Sequence, residues 1–182
     1  SSLQLSGSGD YISISDSDDF SLGLNFTIDF WFRATSAPNA AYITLIGQTA
    51  DGNNYWQFAL AGNGSQINKI KFGGETGGSS IGYYEVAGIN ISLNEWHHIA
   101  LVGNGGSANL KIFLDGNAQT ITTIGANLTA FPNINAPLRV NYTYQGFNLF
   151  EGHIDELRIS KGVNRWTSNF TPPDSPYQYG AA

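Results

Sequence analysis

The chain has no cysteine, no methionine and only 8 basic residues among 182. Without cysteine there are no disulfides, no thiolate zinc sites and no thiol catalysis. A eukaryotic extracellular domain of this size often carries a bridge, so its absence points towards a bacterial or viral source. The few Lys and Arg are scattered against 14 acids, for a net charge of −6. Phosphate affinity needs clustered bases, so nucleic acid is not an expected partner. No apolar run approaches the ~20 residues of a membrane-spanning helix, and no signal peptide is evident. With Ser1 at its start and no Met, the sequence reads as a piece of a longer protein. Six Asn-x-Ser/Thr triplets occur, at Asn25, Asn63, Asn90, Asn127, Asn141 and Asn169. In a chain so rich in these residues, chance explains them at least as well as glycosylation.

What is abundant is glycine, small polar residues and, at 13 %, aromatics. That mixture suits an all-β domain with many turns, and the length suits a single sandwich core. Alternation of period two dominates. In FTIDFWFR, Phe26, Ile28, Phe30 and Phe32 fall on one face, and Thr27, Asp29, Trp31 and Arg33 on the other. EWHHIALV is apolar on both faces, as in a strand covered on both sides. LKIFLDG ends in Asp115-Gly116, a tight-hairpin signal into QTITTI. GGETGGSSIG and similar clusters read as turns. Residues 1–170 are expected to form the sandwich. Residues 171–182 begin with TPPDSP, whose prolines cannot serve a ladder, and read as a tail or linker.

The stretch FEGHIDELRIS crowds three acids and a histidine together. Strict alternation puts His153, Asp155, Leu157 and Ile159 on one face and Glu156 with Arg158 on the other. Asp155 would then point with apolar neighbours, which requires hydrogen bonds, a wet strand end or a metal; calcium suits such an oxygen donor. A glycosidase needs two acids on one face about 5–9 Å apart. Glu151 is a possible companion to Asp155, but Gly152 and the spacing leave no third acid on that face. Asp16, Asp18 and Asp19 open like a calcium loop, but Ser21 and Thr27 stand where glycine and glutamate are required. His97 and His98 fall on opposite faces and read as packing residues. No nucleophile elbow or phosphate loop is present, so no catalytic residue is assigned and the chain is expected not to be an enzyme. Aromatics in turn-rich places remain as the signal for stacking on sugar rings: Tyr55-Trp56, Tyr83-Tyr84, Tyr142, Tyr144 and Trp166. Adjacent residues on a strand diverge, so at most one of each pair can line a given groove. Trp56, Tyr83, Tyr84, Tyr142 and Tyr144 are the candidates.

LSGSGDYISISDSDDFSLGLNFTIDFWFR, EWHHIALV, LKIFLDGN, FEGHIDELRIS and KGVNRWTSNFTPP, in this order, resemble the laminin-G-like, concanavalin A-like lectin/glucanase superfamily over most of residues 3–173. The closing block is similar to copies in phage tail or virion proteins and bacterial surface proteins. The resemblance implies a jelly-roll β-sandwich of two curved antiparallel sheets. It implies a non-catalytic, lectin-like module that binds a glycan or polysaccharide within a larger extracellular, cell-surface or virion-associated protein. It also implies a structural calcium, with Asp155 as ligand, the side chain of Asp10, and carbonyls around Gly7. A structural or protein-contact domain of a phage tail or adhesin is the alternative. A laminarinase-type hydrolase comes third, because the E-x-D-x-x-E motif of those enzymes has no match here.

Overall fold

A computed structural model describes residues 2–39, 42–106, 109–142 and 149–177. Two antiparallel sheets face each other across one aromatic-rich core. The first runs β1 (Leu3–Ser6), β13 (Glu151–Lys161), β3 (Asn25–Ala34), β8 (His97–Asn104), β9 (Lys111–Leu114), β10 (Asn117–Ala118). The second runs β11 (Thr122–Ile124), β7 (Ser79–Ile91), β6 (Ile67–Thr76), β5 (Asn54–Gly62), β4 (Ile43–Asp51), β12 (Leu138–Val140), β2 (Ile12–Ile14). The fold is a jelly-roll sandwich. Phe26, Ile28, Phe30 and Phe32 alternate into the core as the period-two pattern requires, meeting Trp56, Phe58 and Phe72 from the second sheet. Each such side chain contributes roughly 1.5–3 kcal/mol by leaving water.

Asp115 and Gly116 both take positive φ, 49° and 75°, the geometry of a type I′ hairpin. The returning strand is Asn117–Ala118 and not QTITTI. After it the chain crosses to the other sheet, where Thr122–Ile124 pairs with Tyr83–Glu85 at the edge. GGETGGSSIG is likewise mostly strand: β6 and β7 form a long hairpin that turns at Gly77-Gly78. Glycine there signals a turn in the sequence, yet Gly73 and Gly74 serve close approach. A Cβ on Gly73 would lie 2.4 Å from the Tyr83 ring, and one on Gly74 would lie 2.0 Å from the Tyr55 carbonyl.

β13 departs from strict alternation. Asp155 pairs with Trp31 and Arg158 with Asp29, so one residue is extra, and Glu156 adopts φ 53°. This bulge flips the pattern. Asp155 therefore shares the outer face of the first sheet with Arg158, while Ile159 returns to the core side opposite Ile28. The expectation that Asp155 points inward with Leu157 and Ile159 is corrected by that one inserted residue.

The C-terminal stretch leaves the ladder as its prolines demand, and its described part, as far as Tyr177, docks on the sandwich. It runs over the outer face of the first sheet. Phe170 donates its N–H to Gly116 (3.0 Å), Asn169 accepts from the Ala118 N–H (2.9 Å), and Trp166 stacks on Phe170 at 3.9 Å. Ala100, Val102 and Phe113 are buried beneath these rings. This cover explains why β8 is apolar on both faces.

Candidate functional site

The outer face of the second sheet carries a register row that crosses all seven strands: Ser13, Arg139, Gly47, Gln57, Gly73, Tyr83, Ile124. Glycines flank Gln57 on both sides, so the middle of the row has a low floor. Tyr83 lies across Gly73, and the missing side chain is what admits its ring.

Around this floor the side chains form one hydrogen-bonded network. Tyr83 and Tyr55 share a hydroxyl–hydroxyl bond of 2.8 Å, and Tyr83 donates to Glu75 at 3.1 Å. Lys71 Nζ sits 4.1 Å from the centre of the Tyr83 ring and 4.4 Å from that of Tyr42, within cation–π range. Glu85 accepts from the Tyr42 hydroxyl and from Lys69 at 3.0 Å, and Thr44 donates to Gln57 Oε1 at 2.8 Å. All these residues are half-buried or at the surface, apart from Thr44. At the other end of the row, Arg139 stacks over Tyr142 at 4.1 Å, and Tyr142 meets Tyr11 edge-on at 5.4 Å. The Arg139 Nε is buried without a hydrogen-bond partner among the described residues.

Burial, helped by the hydrogen bonds to Tyr55 and Glu75, pushes the Tyr83 phenol well above its ordinary range. Burial and Glu85 do the same for Tyr42. Both hydroxyls therefore stay protonated in neutral solution. Burial alone would raise the Glu85 carboxyl, but hydrogen bonds from Tyr42 and Lys69 outweigh it and hold the group ionised below its usual value. Burial lowers the Lys71 ammonium against the pull of Glu85. The face thus offers rings, amide groups, phenols and fixed charges of both signs. Its two acids, Glu75 and Glu85, are separated by the span from Glu75 to Lys71 along β6 (Lys71 pairs with Glu85). At ~3.3 Å per residue their backbones are about 13 Å apart, and each carboxylate is taken up by a tyrosine hydroxyl, Glu75 by Tyr83 and Glu85 by Tyr42.

Of the tyrosines and tryptophan picked from the sequence, the structure puts Tyr83 and Tyr142 on this face. Trp56 and Tyr84 are corrected: both are 1 % exposed in the core and offer no ring to a ligand. Trp56 donates to Gln48 (2.9 Å), and Tyr84 accepts from the Leu128 N–H (2.6 Å). Tyr144 lies outside the described residues. Tyr42 gave no signal in the sequence, and of the pair Tyr55-Trp56 it is Tyr55, not Trp56, that reaches this face. Alternation held the signal for Tyr55, since Trp56, Phe58 and Leu60 share the core parity and leave Tyr55 facing out.

The proposed calcium ligands do not converge. Asp10 Oδ2 accepts from the Ser6 N–H at 2.9 Å, and Ser6 pairs with Glu151. Asp155 stands four residues further along β13, about 13 Å away at ~3.3 Å per residue. Calcium–oxygen bonds are about 2.3–2.6 Å, so one ion cannot bind both carboxylates. Asp155 Oδ1 instead accepts from the Glu156 N–H (2.9 Å). Among the described residues no three His, Asp or Glu side chains form a metal-holding group. Gly7 (φ 75°) and Gly9 (φ 82°) shape the loop that presents Asp10.

A family model described as the concanavalin A-like lectin/glucanases superfamily matches residues 6–166. No curated protein matches the chain. Among solved structures, the fold is similar to domain 4 of AbnA, a GH43 extracellular arabinanase from Geobacillus stearothermophilus, in complex with arabinotriose: TM-score 0.65, 18 % identity, 90 % of this chain and 71 % of that one. It is similar to the CBM40 of Ruminococcus gnavus IT-sialidase bound to α2,3-sialyllactose, with TM-score 0.65, 15 % identity, and coverage of 89 % and 90 %. Mouse laminin α1 chain domains LG4-5 give TM-score 0.60 and 16 % identity over 94 % of this chain and 47 % of that one. At these identities the likeness concerns the fold. The match across residues 6–166 and the two-sheet architecture together place this chain in the concanavalin A-like lectin/glucanase superfamily.

Proposed function

We propose that this chain is a non-catalytic carbohydrate-binding module that takes a glycan across the outer face of the second sheet. The observation that carries the reading is the ring-and-amide floor of Tyr83, Gly73, Gln57 and Gly47. Sugar C–H faces stack on Tyr83 and Tyr55, while Gln57, Lys71, Glu85 and Arg139 satisfy hydroxyls. Tyr142 extends the platform towards β2. The glycan complexes named for two of the similar structures support the same class of ligand. The module belongs to a larger extracellular, cell-surface or virion-associated protein, where repetition would raise its avidity. Among the described residues, no helix is long and apolar enough to cross a membrane.

The test is a glycan array followed by calorimetry on the best neutral ligands, with Tyr83→Ala and Gln57→Ala compared with wild type. Loss of binding in both variants, at unchanged melting temperature, supports the assignment. Absence of any glycan hit, or hits indifferent to both substitutions, sinks it.

One observation favours a second reading, a protein-contact domain of a phage tail or adhesin. β2 is an edge strand, and it exposes Ile12 (39 %) and Ile14 (47 %) beside Tyr11 (51 %). A calcium ion is proposed only at Asp10, with carbonyls of the Ser6–Gly9 loop and without Asp155.

A further inference from the structure

The opposite side of the sandwich holds a cleft that the reading above leaves unused. Trp31, Trp96, Asp155 and Glu156 form one wall, and the tail from Pro173 to Pro176 forms the other, around about 370 Å³. Trp96 is 40 % exposed. Trp31 is half-buried, held edge-on against His98 at 5.3 Å. Asp155 faces this space by alternation from the core residue Ile154, pairing with Trp31 just before the bulge in β13. Glu156 is anchored there by the Tyr177 N–H, which donates to its Oε2 at 2.7 Å. Asp174 adds a third carboxylate from the tail.

No Lys or Arg lines the cleft among the described residues. Arg158, on the same sheet face, is committed elsewhere: its Nε and Nη2 donate to Asp29 at 3.1 and 2.9 Å, and it stacks on Tyr177 at 3.7 Å. The result is a tryptophan-walled space with an excess of negative charge. An anionic sugar is repelled from it. A neutral sugar gains stacking but leaves the carboxylates without a counter-charge. An ammonium group is drawn by both the carboxylates and the ring faces. The volume lies at the small end of ligand pockets, enough for about one or two sugar rings.

We propose that this cleft binds an amino sugar with a free ammonium group, a glucosamine unit of a de-N-acetylated polysaccharide. Its ring packs on Trp96 and its ammonium lies among Asp155, Glu156 and Asp174. The proposal rests on the carbohydrate-binding reading for its class of ligand, but it uses residues of the opposite sheet.

The experiment is calorimetric titration of the whole chain with a glucosamine tetrasaccharide, its fully N-acetylated counterpart and tri-lysine. The two sugars differ only in ammonium against acetamide. The glucosamine oligomer should bind at least about tenfold tighter than the acetylated one. Trp96→Ala and Asp155→Asn should each weaken it by about tenfold, with melting temperatures showing that both variants fold. No binding of the glucosamine oligomer, equal binding of both sugars, or indifference to Trp96→Ala overturns the proposal. Tri-lysine binding more tightly than the sugar overturns it in favour of a basic peptide. Failure of the Tyr83 face to bind neutral glycans is read in a separate titration and leaves this one interpretable.

Discussion

Tyr177 donates its hydroxyl to Oδ2 of Asp29 at 2.6 Å, tying the last described residue of the chain to the middle of β3. Asp29 is fully buried, although it lies on the outer face of its sheet, because the tail covers it. The Arg158 fork completes the pair at 3.1 and 2.9 Å, and His98 Nε2 stands 3.5 Å from the same carboxylate. The tail is thus held by a charged bond as well as by Trp166 and Phe170. Tyr177→Phe removes a hydrogen bond to a buried charge and should cost about 1.5–3 kcal/mol. Urea unfolding measures it. An unchanged midpoint would mean that the tail is not fastened there.

Acid should release the same network. Burial pushes the Asp29 carboxyl up, but the hydrogen bonds from His98, Arg158 and Tyr177 win and hold it below its ordinary value of 3.8. A depressed carboxylate contributes stability that is complete above the unfolded value and is lost as pH falls through the folded one. Asp29→Asn should therefore lose most at neutral pH, by about 3–5 kcal/mol for breaking a buried pair. The partial exposure of Arg158 (23 %) favours the lower end. The gap to wild type should close in strong acid. Stability curves across pH for the two proteins check this, and parallel curves would refute it.

Asp29 also shows how far the sequence could be read. Alternation in FTIDFWFR correctly sets it opposite the phenylalanines, and the two apolar faces of EWHHIALV correctly require a second cover. The cover's identity was hidden, because three prolines announce only that a segment leaves the ladder. They say nothing of where it docks. Asp155 was misplaced for a sharper reason. A single residue inserted at Glu156 inverts every side chain between there and the strand end, and no glycine or proline marks the spot. Trp56 and Tyr84 were misread despite a usable signal. Adjacent residues diverge on a strand, so only one of each pair could face out, and parity with Phe58 and Val86 already put Trp56 and Tyr84 on the core side.

Calcium can be tested at Asp10, the carboxylate that the Ser6–Gly9 loop presents. The Asp10 carboxyl is held below its usual value by its hydrogen bonds to Ser6, so it is ionised in neutral solution. An ion bound only to the native state raises the melting temperature by mass action. Adding EDTA should lower the midpoint of the wild type and of Asp155→Asn alike, and leave Asp10→Asn unmoved. A response to EDTA that vanishes in Asp155→Asn would contradict the register separating the two acids. No response in any of the three would remove the ion altogether.

Tyr83 and Tyr84 are neighbours in sequence and should behave as opposites. Tyr84 is buried against Phe72, with ring centres 6.0 Å apart, and its hydroxyl accepts the Leu128 N–H. Tyr84→Ala opens a core cavity and orphans that N–H, at a cost of about 3–5 kcal/mol. Any loss of glycan binding should then follow the fraction unfolded. Tyr83 is half-buried on the outer face, over Gly73. Tyr83→Ala should leave the core intact, cost about 1 kcal/mol or less in stability, and weaken neutral-glycan binding by about tenfold or more, as for a lost stacking ring. Melting and titration of the two variants side by side separate the two roles. Equal stability losses would place Tyr83 in the core network, and equal binding losses at full folding would move the ligand off this face.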